Sequence, residues 1–195
     1  MTDPLSSPAL RDPALMRALA HPARLSIMSY LNSGAAATAT ELAELVGLSP
    51  SATSYHLRAL ARSGLVAEAP SRGDGRERLW SSALRGYQVA TEQHADPDLR
   101  AAEDQLVDAF LILEDERIRR FLANREKEPP EWYEVAFANE SLLEMTAAEL
   151  DELRHKVMDL IGPYRKGQRT DIPDGTRTVS ASFRAVPLPD RDVKD

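Results

Sequence analysis

The chain contains no cysteine. Disulfides, thiolate metal sites and cysteine nucleophiles are therefore excluded. No apolar run reaches the ~18 residues that a membrane-crossing helix needs. The opening residues, MTDPLSSPALRDP, carry acids and prolines where a secretory leader would place a basic region followed by an apolar one. A cytoplasmic protein is the expectation. Catalytic signatures are missing too: the sequence has no nucleophile elbow, no Gly-rich phosphate loop and no H-E-x-x-H. Nothing in it favours an enzyme.

Lysine is absent from residues 1–90, where nine Arg face seven Asp and Glu for a net charge of +2. The whole chain of 195 residues carries −7, so residues 91–195 hold −9. Phosphate binding responds to local potential and not to the total. Between His56 and Arg85 there are six Arg (58, 62, 72, 76, 78 and 85) against Glu68, Asp74 and Glu77. A modest basic footprint thus lies within an otherwise acidic protein.

Local signals divide the chain. Residues 1–12 read as a mobile tail. Residues 13–85 read as four helices followed by a two-stranded ribbon. Pro13 to Ala20 forms the first helix, and Pro22 suits the first position of the second, where its missing N–H costs nothing. Leu25, Ile27, Met28 and Leu31 give that second helix a broad apolar face, and Asn32-Ser33-Gly34 ends it. Thr38-Ala39-Thr40-Glu41 is a capping box that opens a third helix. Its inward residues are Leu42, Leu45 and Val46, and Gly47 is its stop. Ser49 and Pro50 restart the chain at once as N-cap and first residue of a fourth helix, which runs to Ser63-Gly64. Two helices joined by so tight a turn make a helix-turn-helix. Residues 65–68 and 77–81 then read as strands around a Gly-rich loop, the shape of a wing.

Residues 86–190 read as a small α+β domain for dimerisation or ligand binding. A long helix at 98–123 presents Leu106, Val107, Phe110, Leu113, Ile118 and Phe121. Trp132 to Phe137 alternates like a strand, and Trp132, Tyr133 and Phe137 are expected in a core in preference to lining an aromatic ligand pocket. A second capping box, Thr146-Ala147-Ala148-Glu149, opens another helix. Pro173-Asp174-Gly175 marks a turn, and Val179, Ala181, Phe183 and Ala185 alternate as a further strand. The fold class expected is mainly α with α+β: an N-terminal winged helix-turn-helix, then this smaller domain.

At 100° per residue, Thr53, Leu57 and Leu60 of the fourth helix point to the core, while Ser51, Tyr55, Arg58 and Arg62 form the opposite stripe. Small hydroxyls there can approach base edges, and an arginine can take a guanine or a phosphate. Outward Ser and Arg also occur on any solvated helix. The tight turn and the wing raise the DNA reading above that bland one. Arg72 and Arg76 of the wing are placed to reach a groove or the backbone.

ALAHPARLSIMSYL, then TATELAELVGLSPSATSYHLRALARSGLV, then a wing ending in RERLW, resembles the arsenic-repressor (ArsR) type of winged helix-turn-helix regulator. The likeness spans residues 15–82. It implies a homodimer on an inverted repeat of double-stranded DNA, acting as a repressor and released by a small-molecule effector. It also implies DNA contacts from Ser51, Ala52, Ser54, Tyr55 and Arg58, and Ser49, Arg62, Arg72 and Arg76 complete the candidate DNA-binding set. The third helix lacks the cysteines that the family's metal sensors use. His94, Asp96 and Asp98, with His155 across a dimer, collect oxygen and nitrogen donors, but a solvated linker is the better reading, and no metal or cofactor is expected. Two rivals remain: a winged helix that docks a protein partner, and an enzyme with the winged helix as accessory.

Overall fold

A computed structural model describes residues 9–72, 78–84, 88–89, 96–166 and 169–189. Its elements in chain order are β1 (Ala9–Leu10), α1 (Pro13–Leu19), α2 (Pro22–Leu31), β2 (Ala37–Thr38), α3 (Ala39–Val46), α4 (Pro50–Arg62), β3 (Val66–Ala69), β4 (Leu79–Ser82), β5 (Gln88–Val89), α5 (Pro97–Asn124), α6 (Pro130–Tyr133) and α7 (Ala147–Ile161). The protein is mostly helical, with a winged helix-turn-helix near its N-terminus and a C-terminal region after it.

The first four helices start where their caps place them. Asp12 accepts from the Ala14 N–H, His21 from Ala23, Thr38 from Glu41 and Ser49 from Ala52. Each side chain satisfies one of the amides that a helix start leaves without a partner. Gly47 ends α3 at φ +70°, the left-handed geometry that disfavours any side chain. The turn into α4 therefore takes only Gly47, Leu48 and Ser49.

One apolar core joins these elements. Leu19, Leu25, Ile27, Met28, Leu42, Leu57 and Leu60 are completely buried, and Leu106 of α5 is buried with them. Ala102, Ala109 and Leu113 continue that stripe along α5. The first half of the long helix is thus part of the same core as the helix-turn-helix. Arg17 of α1 ties the start of α5 by an ion pair with Asp98.

The wing sheet has three strands in the order β2-β4-β3, all antiparallel. β2 was not expected; it pairs Ala37 with Trp80 and Thr38 with Leu79. A second departure concerns the N-terminal tail, where Ala9–Leu10 pairs in parallel with Gln88–Val89. Leu45, expected to face inward, is 44% exposed, and Ala43 is buried in its place. A helix of eight residues offers one narrow stripe, and Leu42 and Ala43 fill it.

The C-terminal half departs further. Trp132 and Tyr133 lie in a short helix, not a strand, because Pro130 at its first position starts a helical turn. Tyr133 is half exposed and Phe137 is 88% exposed, so neither belongs to a core. Residues 179–185 form no strand. The segment does run alongside α5 in the opposite direction: Arg177 pairs with Glu128 at 2.6 Å, Arg117 donates to the Ser180 hydroxyl at 3.3 Å, and Arg184 pairs with Glu114 at 2.6 Å. It is held by side chains against a helix, and a helix offers no ladder of backbone groups to complete a strand. α7 begins at its expected capping box, with Thr146 and Glu149 satisfying each other's amides. The turn at Pro173 is also present, closed by the Thr176 N–H on the Pro173 carbonyl at 3.2 Å.

Candidate nucleic-acid interface

α4 presents two opposed faces. Thr53, Leu57 and Leu60 are completely buried, while Ser51, Tyr55, Arg58 and Arg62 are exposed. Tyr55 stands 56% exposed with its ring edge toward His56. Burial of Thr53, Leu57 and Leu60 fixes the rotation of α4 about its axis, so the outward stripe is set by the core and not by its own contacts. Ser49 and Ser51 lie at the N-terminal end, their hydroxyls 3.0 Å apart. Ser49 also caps the helix, accepting from the Ala52 N–H at 3.2 Å. The unpaired amides of that first turn give this end a partial positive charge.

Ala52 and Ser54 are half-buried flanks of the same end. The arginines are arranged individually. Arg58 folds back along its own helix, donating from Nε to the Ser54 carbonyl at 3.1 Å. Arg72 turns away from the outward stripe: it pairs with Glu41 at 2.8 Å and donates to the Ala36 carbonyl. This pins the start of the wing loop onto α3. The Thr38 N–H, with Arg72 second, holds the Glu41 carboxyl below its ordinary pKa. Arg76 lies outside the described residues.

Sequence reasoning counted Arg78 in the basic footprint and placed it with Trp80 in the wing, but assigned neither of them to the site. Arg78 pairs with Glu68 on the neighbouring strand at 3.1 Å, and its guanidinium sits 5.8 Å from the centre of the Trp80 ring. Together with Thr38, Ala39, Thr40, Ser54 and Arg58 they line an open cleft of about 400 Å³. The third strand brings these groups together, since β2 delivers the start of α3 directly against β4. A two-residue strand carries no periodicity that a sequence reading can detect.

His56 lies on the inner side of α4 and is buried, its Nδ1 without a partner among the described residues. Its ring packs on His21 instead of making a hydrogen bond through Nδ1. Of the suggested metal donors, His94 lies outside the described residues, Asp96 caps α5, and His155 sits on α7 beside Asp151. Among the described residues, no cluster of three or more His, Asp or Glu is arranged to hold a metal ion. No helix among them is long and apolar enough to cross a membrane.

Comparison with known proteins agrees with this geometry. A helix-turn-helix domain family matches residues 19–69, from the last residue of α1 to the end of β3. The HTH-type transcriptional regulator YgaV of Escherichia coli (strain K12) is 38% identical over 77 residues, which span 40% of this chain and 75% of that protein. A solved structure of ZitR from Lactococcus lactis, a mutant in its apo form, shares 17% identity over 71% of this chain and 78% of that one, with a TM-score of 0.28. With the tight turn, the capped α4 and the wing in place, and with a relative covered over most of its length, the chain belongs to the HTH-type transcriptional regulators.

Proposed function

We propose that the protein is an ArsR-type repressor that binds an inverted repeat of duplex DNA as a homodimer. The observation that carries the DNA reading is the α4 stripe of Ser51, Tyr55, Arg58 and Arg62, held outward by a fully buried opposite face. A helix so fixed enters a major groove as a rigid reader, and two copies reach half-sites about one helical turn apart. The Arg-rich stripe and wing base favour DNA over a protein partner. Regulation on this reading works by occupancy of the DNA and needs no catalysis.

Support for the homodimer comes from exposed apolar side chains on α5. Opposite the buried stripe, Val107, Leu111, Ile118 and Leu122 are 42–51% exposed. Val107 and Ile118, like Leu111 and Leu122, are eleven residues apart, close to three full helical turns, so each pair lies on one face of the helix. Repression follows from a dimer that occludes its operator. A small-molecule effector would act on this same C-terminal half, which lies beyond the family match, by changing the spacing of the two α4 helices.

The test is selection of bound fragments from random duplex DNA at two salt concentrations. A palindromic motif whose enrichment falls steeply with salt is expected. Absence of any enriched motif at either salt would overturn the reading.

A further inference from the structure

The cleft between α3, α4 and the wing has an asymmetry of charge. Arg58 lines it from α4 and Arg78 from the base of the wing, and Thr40 at the start of α3 lines it too. The carboxylates nearby are already engaged. Glu41 accepts from the Thr38 N–H at 2.7 Å and from Arg72 at 2.8 Å, and Glu68 is held by Arg78. Among the described residues, the hydrogen bond of Arg58 is to the carbonyl of Ser54, a neutral group.

Both guanidiniums are also oriented in advance. The Ser54 carbonyl fixes the Nε edge of Arg58, which leaves its two terminal nitrogens free to turn into the cleft. Glu68 and the Trp80 ring fix Arg78, and Trp80 is itself buried in the core. Glu68 balances one of these two positive charges, so the cleft keeps a net positive charge that an anion between the guanidiniums would neutralise. A neutral base edge accepts one guanidinium and leaves that charge unbalanced. Backbone amides in the first turn of α3, at Ala39 and Thr40, add donors of the same sign.

We infer that this cleft seats a phosphate of the DNA backbone, clamped between Arg58 and Arg78. Arg58 is then a positioning residue for the duplex, and base reading passes to Ser51 and Tyr55, farther toward the tip of α4. The inference rests on the DNA-binding reading above and assigns a task within it. Arg78, which lines the cleft, joins the interface, while Arg72, which does not line it, stays out.

The experiment uses the full chain and fluorescence anisotropy over a salt series, on the selected operator and on an unrelated duplex of equal length. The variants are Arg58→Gln, Arg58→Lys, and Arg78→Gln made together with Glu68→Gln so that no carboxylate is left alone by the cleft. Each Gln variant should lower affinity by a similar factor on both duplexes. Each should also reduce the slope of log K against log salt by about one. Arg58→Lys should keep the slope, and the motif selected by Arg58→Gln should match that of the unsubstituted protein. Relaxed preference at one base pair with an unchanged slope would make Arg58 a base reader and overturn the clamp. Unchanged affinity and slope in the Gln variants, with normal binding by the unsubstituted chain, would remove the cleft from the interface while leaving DNA binding intact. A chain that binds neither duplex would overturn both readings together.

Discussion

The rings of His21 and His56 lie 4.5 Å apart, centre to centre, and join the first residues of α2 to the inner face of α4. His21 is the N-cap of α2, its Nδ1 accepting from the Ala23 N–H at 3.1 Å, a bond that requires an unprotonated nitrogen. Arg24 on α2 and Glu116 on α5 face the pair with opposite charges. Burial, then Arg24, lowers the His21 pKa, with Glu116 partly offsetting; burial, then His21 and Arg24, lowers that of His56. Both histidines therefore bind protons less readily folded than unfolded. Their contribution to stability is complete above the ordinary value of 6.5 and is lost as pH falls below it toward the lowered folded values. The urea midpoint should decline from pH 7.5 to pH 5, and the decline should be smaller in His21→Asn/His56→Gln, where Asn still caps the helix. Equal declines in the two proteins would locate the acid sensitivity elsewhere.

Glu41 serves two structures at once. Its one oxygen closes the capping box with Thr38, and its other holds Arg72 of the wing loop. Thr38→Ala should cost about 1 kcal/mol of unfolding free energy by removing the cap. Glu41→Gln retains capping capacity but loses the charge on Arg72. An exposed pair of this kind contributes about 0–1 kcal/mol. The expected result is therefore near-normal stability with faster amide exchange across residues 36–38, measured by hydrogen exchange. Unchanged exchange would show that the Ala36 carbonyl alone holds the wing.

The two halves of the chain were not equally legible. Cap residues and stop glycines act within a few positions, so Thr38, Ser49 and Gly47 announce α3, its end and α4 without reference to distant contacts. The burial of Thr53, Leu57 and Leu60 follows from helical spacing alone. Residues 132–137 and 179–185 show the alternation of strands, yet a strand exists only beside a partner. Sequence alternation does not name that partner, and α5, which the second segment meets, cannot be one. Arg72 illustrates the limit at the site. Its place in the wing was evident, but its engagement by Glu41, 31 positions away, depends on the packing of β2.

Leu57 and Tyr55 are two residues apart on α4 and should separate stability from binding. Leu57 is completely buried, so Leu57→Ala should cost about 2–5 kcal/mol in denaturant unfolding. Tyr55 is 56% exposed, and Tyr55→Ala should change stability by no more than about 0.5 kcal/mol. Its effect should appear in the DNA-selection motif. A large loss of stability in Tyr55→Ala would mean that its ring contact with His56 holds α4 in place.

The apolar stripe on α5 yields the last expectation. Ile118 is 51% exposed and Leu111 42%, so a charge at either position meets water in a lone chain and meets an apolar surface in a pair. Ile118→Glu should leave the circular dichroism of the helices intact. Light scattering at micromolar concentration should then give about 21.6 kDa, the mass of one chain, where the unsubstituted protein gives about twice that. On an inverted repeat the variant should fill half-sites independently, so that changing the spacing between them no longer alters its affinity. On the outer turn of the same helix, Arg119→Ala breaks an exposed ion pair with Asp115 and serves as the control, since loss of such a pair should leave the mass unchanged. A dimer that survives Ile118→Glu would move the contact away from this stripe. An unsubstituted chain that runs as a monomer would leave its exposed area for a different partner.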